Sequence, residues 1–210
     1  MSELPDIIPD GLPDHLPEGE QLLWQGRPDW KRLALNAFHV RKVGIYFGAI
    51  ILAQAVWKLA NGATFADAMQ VAPKIAGLGC LACAILVAIA YATARTTHYT
   101  LTSKRVLMKV GIALPVIINL PLRQIDGVSF AATGKDCGTV CFKTGGNVRL
   151  AYMLLWPHAM PWQFMKPKPA FRDIPQVEEV ASRLAMILGG QMPVLETQPS
   201  MPHGSMVPAE

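Results

Sequence analysis

Two long apolar runs limit what this chain can become more than any other feature. Ile75 to Ala94, IAGLGCLACAILVAIAYATA, holds no charged residue; Val43 to Leu59, VGIYFGAIILAQAVWKL, holds one amide, Gln54, and no charge before Lys58. An α-helix needs about 20 mainly apolar residues to cross roughly 30 Å of hydrocarbon, and a shorter run manages with snorkelling ends. The runs predict a two-span transmembrane hairpin over residues 43–94. Of the 210 residues, 51% are hydrophobic and only 16% charged, which leaves room for one modest domain beside the spans.

Charge outside the runs orients the hairpin. Lys31, Arg32, Arg41 and Lys42 precede it, Arg95, Lys104, Arg105 and Lys109 follow it, and the connecting loop holds little beyond Asp67 and Lys74. An excess of Lys and Arg marks the cytoplasmic side, so both termini are expected there. Ahead of the first run, Trp30, Leu33, Ala34, Ala37 and Phe38 fall on one helical face with Asp29 placed to cap it, the pattern of an amphipathic helix. Next to a span, such a helix is expected to lie in the membrane interface. Trp30, Lys31, Arg32, Phe38, Arg41 and Lys42 are its expected interface residues.

Residues 1–20 form an acidic arm with Pro5, Pro9, Pro13 and Pro17 spaced by four, which predicts an extended segment. Six acids fall before the first base, Arg27, so the remainder carries nineteen basic against nine acidic residues, a net +10. A basic body suits an anionic lipid surface. Nucleic acid is not expected as a partner, because the bases flank apolar spans and do not form one stripe.

After His98 the periodicity changes. HYTLTSKRVLMKVG reads as a hairpin around a TSK turn, and Val116–Leu120, Ile125–Phe130, Thr139–Lys143 and Asn147–Tyr152 follow as short strands between turn residues. Short strands in series predict an antiparallel meander. IPQVEEVASRLAMIL then places Val177, Val180, Ala181, Leu184, Ile187 and Leu188 on one helical face, a closing helix. Residues 191–210 are Pro- and Met-rich and read as a disordered tail.

Catalytic motifs do not emerge: there is no Gly-rich phosphate loop or HExxH, and the five histidines are scattered. Cys80 and Cys83 sit in an apolar helix without a second metal-ligating pair, so no metal, cofactor or disulfide framework is expected. His98, four residues after Ala94, could seat a pigment at a helix end, but it stands where a strand begins and reads as an interfacial or strand-starting histidine. Lys104, Arg105 and Lys109 on the first hairpin read as a basic, lipid-facing flank.

PEGEQLLWQGRPDW, the apolar hairpin and YTLTSKRVLMKVG together resemble the bacterial pleckstrin-homology-like domains attached to membrane spans. LNAFHVRKVGIYF, INLPLRQIDGVSF and RLAYMLLWPHAMPWQFMKPKPAFRDIP are similar to the photosynthetic-complex assembly proteins of purple phototrophic bacteria. The likeness runs from about Leu16 to Leu188. It implies a membrane hairpin plus a mainly β domain, an antiparallel, partly open pleckstrin-homology-like barrel capped by a C-terminal helix. The resulting organisation is an arm over 1–20, an entry segment and interfacial helix over 21–42, the spans over 43–94, a cytoplasmic domain over 95–190 and the tail. It further implies a non-enzymatic assembly factor in the intracytoplasmic membrane whose partners are reaction-centre and core light-harvesting subunits, with a homo-oligomer left open. A lipid-binding or generic envelope module is the alternative. The MLLWPHAMPWQF segment supplies the expected partner-binding residues Met153, Leu155, Trp156, Met160, Trp162 and Phe164, since Trp anchors and adaptable Met build protein interfaces.

Overall fold

The computed structural model describes residues 16–132, 137–145, 156–158 and 168–187. These fall into two compact units, one helical (Asp29–Thr97 with Gly111–Leu114) and one built of strands from the remaining segments.

In the helical unit, α1 (Trp30–Asn36) starts where Asp29 accepts hydrogen bonds from the Lys31 and Arg32 amides at 2.8 and 3.0 Å, satisfying donors that the first turn leaves open. α2 (Val40–Ala60) and α4 (Ala72–Thr96) are the two long helices, joined through the short α3 (Phe65–Met69). At 1.5 Å per residue, 21 residues reach about 32 Å, and both helices are long and apolar enough to cross a membrane. Only 6% and 11% of their most apolar stretches are buried within the protein, unlike the core helix of a soluble fold. Their contact uses small residues: a Cβ on Gly79 would lie 2.9 Å from Phe47 Cγ, so glycine lets α2 and α4 approach closely.

α1 departs from the expected placement in one respect. Leu33, Ala34 and Phe38 are buried with Ala90 and Ala94 of α4, Phe38 being only 8% exposed. The apolar face of α1 thus packs inward on its own unit, because α4 offers it a smooth alanine surface; Phe38 is a core residue here.

The strand unit holds seven described strands. β1 (Leu22–Gly26), β2 (His98–Thr102), β3 (Arg105–Val110) and β4 (Val116–Pro121) form one antiparallel sheet in that order. β5 (Ile125–Ala132), β6 (Cys137–Thr144) and β7 (Ala170–Pro175) form a second. The antiparallel meander predicted by the sequence is present, whereas the partly open barrel implied by the resemblance is not shown: the described ladders form two sheets. The break falls at Pro121 and the 3₁₀ turn Leu122–Gln124, since proline cannot donate to a continuing ladder. One core joins them: Tyr99, Leu101, Val106, Met108 and Leu120 from the first sheet meet Val140, Phe142, Phe171 and Ile174 from the second. α5 (Val177–Ile187) closes it with Val180 and Leu184.

Two strands were not expected. β1 comes from the entry segment and pairs with β2, Gln25 opposite Thr100 and Gly26 opposite Tyr99; its LLWQG lacks strict alternation, so no period of two announced it. β7 comes from AFRDIP, hidden behind the proline-rich KPKP. The expected strand Asn147–Tyr152 and the tail lie outside the described residues.

Candidate partner-binding loop and cationic groove

Of the expected partner segment, the described residues are Trp156–His158; Met153, Leu155, Met160, Trp162 and Phe164 lie outside them. The three residues are anchored from below. His158, 1% exposed, sits edge-on to Tyr99, whose hydroxyl is 2.6 Å from Nδ1. The Tyr99 oxygen also accepts the Arg172 amide at 3.3 Å, so the arrangement that uses every group has Tyr99 donating to a neutral His158. Burial, reinforced by the nearby Arg172 charge, pushes His158 down to about 3, and burial holds the Tyr99 phenol well above its usual range.

Main-chain bonds complete the seat. The Arg172 guanidinium donates to the Pro157 carbonyl at 3.0 Å, and the Ala170 amide to the His158 carbonyl at 2.9 Å. Beneath, Tyr99 stacks on Phe171 at 4.6 Å, and Phe171 meets Phe142 edge-on at 4.9 Å. Trp156, immediately before these buried residues, is 52% exposed. An exposed indole thus precedes two buried residues, Pro157 and His158, that are held by hydrogen bonds to the strand unit. Sequence reasoning singled out Trp156 but not His158, Tyr99 or Arg172, whose contacts span 59 and 73 residues and leave no local signal.

The expected basic flank is divided. Lys104 and Arg105 stand at the β2–β3 turn, whereas Lys109 pairs with His98 at the opposite end of the hairpin. Arg105 is already engaged: its Nε and Nη2 donate to the two carboxylate oxygens of Glu20 at 2.8 and 2.7 Å. Thr102 donates to the same carboxylate at 2.5 Å. The Glu20 side chain is 2% exposed. The hydrogen bonds from Arg105 hold its carboxyl below the usual range, and the carboxylate in turn raises Arg105. Gln21 ties the same turn through Ser103, with bonds of 3.0 and 3.1 Å in the two directions. Glu20, expected in a separate arm, therefore belongs to the strand unit. A groove of about 520 Å³ opens beside it, with Lys104, Arg105, Asn119 and Arg123 among its lining.

The expected interface residues belong to the helical unit. The Lys31 ammonium lies 5.6 Å from the Trp30 ring, Trp30 meets Tyr91 edge-on at 5.9 Å, and Arg95 lies over Tyr91 at 5.4 Å. Such amphipathic stacks suit a polar boundary. Arg41 and Lys42 are exposed in the first turn of α2, and Arg32 is half-buried. No group of three or more His, Cys, Asp or Glu residues able to hold a metal occurs among the described residues. Cys141 is buried, which pushes its thiol up to about 11 and keeps it inert.

Comparison with known proteins adds family context. Residues 44–186 match the model of a family described as "Bacterial PH domain". A protein of Rhodobacter capsulatus described as an "uncharacterized 23.7 kDa protein in puhA 5′ region" is 40% identical over 180 residues, covering 83% of this chain and 82% of that protein. No solved structure matches the chain.

Proposed function

Because the chain belongs to the bacterial PH domain family, we propose that it is a membrane-anchored, non-enzymatic assembly factor for the photosynthetic reaction centre and its core light-harvesting complex. It acts by protein–protein contact. The apolar helices anchor it with both termini cytoplasmic, which raises its effective concentration near other membrane subunits without any new contact. The resemblance to assembly proteins of purple phototrophs supports the pathway, and so does a relative described by its position beside puhA.

The observation that carries the reading is Trp156, half exposed on a seat fixed by His158 and Arg172. A rigid aromatic anchor loses little entropy on binding, and truncating a central tryptophan can cost about 2–4 kcal/mol. We expect Trp156→Ala with Trp162→Ala to leave expression and membrane insertion near normal while core-complex accumulation in phototrophic membranes falls several-fold. Normal accumulation would remove the segment from the assembly role; loss of the protein itself would assign the tryptophans to folding.

The groove at Lys104 and Arg123 favours a second reading, binding of an anionic lipid headgroup. Glu20 already neutralises Arg105 within it, so the groove is a weaker basis than the tryptophan.

A further inference from the structure

The loop between β3 and β4 has no role in either reading. Its residues Gly111–Leu114 group by contact with the helices, although the strands on either side of it belong to the other unit. Their side chains are nonetheless uncovered: Ile112 is 50% and Leu114 82% exposed, and Ile117, just beyond, is 40% exposed. From Val110 to Leu122 there is no charge at all. Gly111, at φ 112°, lets the backbone turn sharply out of β3 at a conformation that a β-branched residue would resist.

Strand register says which end of the sheet carries the loop. β2 begins at His98, two residues after α4 ends at Thr96. His98 pairs with Lys109, and Val110 with Val116. The loop therefore leaves the sheet at the end covalently joined to the long helix. The Ser103–Lys104 turn lies at the other end, about 15 Å along β2 at roughly 3.3 Å per residue. An exposed apolar loop held at the end of a helix that crosses hydrocarbon meets lipid before it meets water, and Lys109 beside it suits anionic headgroups.

We propose that Ile112–Leu114 is a third membrane contact, an apolar loop inserted into the headgroup–acyl boundary of the leaflet from which α4 emerges. This rests on the membrane reading of α2 and α4.

The test uses the unmodified full chain in nanodiscs of phosphatidylethanolamine and phosphatidylglycerol carrying a photoactivatable diazirine on the acyl chain. After irradiation, tandem mass spectrometry of the tryptic peptides maps the labelled residues; cleavage after Lys109 and Arg123 isolates the loop. Labelling at Ile112–Leu114 at least about fivefold above that at Ser103–Lys104 is expected, with strong labelling in α2 and α4. Labelled helices with a loop no more labelled than the turn would overturn the loop contact while the spans stand. Unlabelled helices would overturn both.

Discussion

The two units bury opposite kinds of residue. In the strand unit the interior is bulky, with Tyr99, Phe142, Phe171, Leu101 and Met108 all sealed from solvent. In the helical unit the buried positions are mostly small, Ala55, Ala68, Gly79, Ala90 and Ala94, while Ile45, Leu52, Trp57, Leu81 and Ile85 face outward. The first unit is organised by expelling apolar surface from water. The second leaves its large apolar side chains outside and joins its helices by close backbone approach, the packing expected of helices that cross lipid. One chain thus carries two solvation rules, and α1, which hides Leu33 and Phe38 on the alanines of α4, follows the first rule within the second unit.

The contrast would break most visibly in a matched pair of truncations. Phe171→Ala empties a site bounded by Tyr99, Phe142 and Trp24 and should cost the strand unit about 3–5 kcal/mol. Leu81→Ala, on an exposed face of α4, should cost less than about 0.5 kcal/mol in nanodiscs. Urea unfolding of the full chain, followed by hydrogen exchange at strand and helix amides, measures both; similar losses would refute the distinction.

Acid should act on the strand unit next most strongly. His158 is held down to about 3 in the fold against about 6.5 when unfolded. Between those values the unfolded chain binds the extra proton, so stability falls as pH falls through that window and levels off below it. From pH 7 to pH 5 the loss should be about 2 kcal/mol, at about 1.4 kcal/mol per unit below 6.5. Glu20 has its carboxyl lowered from 4.5, so its stabilisation is present above that value and is lost only at still lower pH. Urea midpoints at pH 7 and pH 5 for the wild type and His158→Gln isolate the histidine: the variant's midpoint should lose most of this pH dependence, and an unchanged slope would exclude it as the source.

A smaller effect sharpens the helical side. Gly79→Leu drives a side chain into Phe47 and should destabilise the helix pair by about 1 kcal/mol, lowering its melting temperature in detergent. Gly77→Leu, which meets nothing within 4 Å, should leave that temperature unchanged. Equal shifts would mean that the contact at Phe47 carries no special weight.

Legibility in the sequence followed the range of the interactions. The long helices, the hairpin around Ser103–Lys104, β4, β5, β6 and α5 all emerged from local periodicity and turn residues, within a few residues at each end. β1 and β7 did not, because each is made a strand by a distant partner: Leu22–Gly26 by β2 and Ala170–Pro175 by β6. The same reason hid the support of the candidate site. Trp156 was visible as a tryptophan beside a proline, but that it stands half exposed next to a His158 held by Tyr99 and a Pro157 held by Arg172 was not.

By itself, the sequence determined the apolar helices, the change to a β pattern after His98 and the closing helix, since periodicity and propensity act over a turn or a strand. Only the tertiary structure decided that Glu20 neutralises Arg105 from 85 residues away, that α1 turns its apolar face onto α4, and that strand register parts Lys109 from Lys104. Charge and apolar character can be read residue by residue. Which of them remain available to a partner depends on what the folded chain has already covered, and that is a property of contacts between segments far apart in sequence.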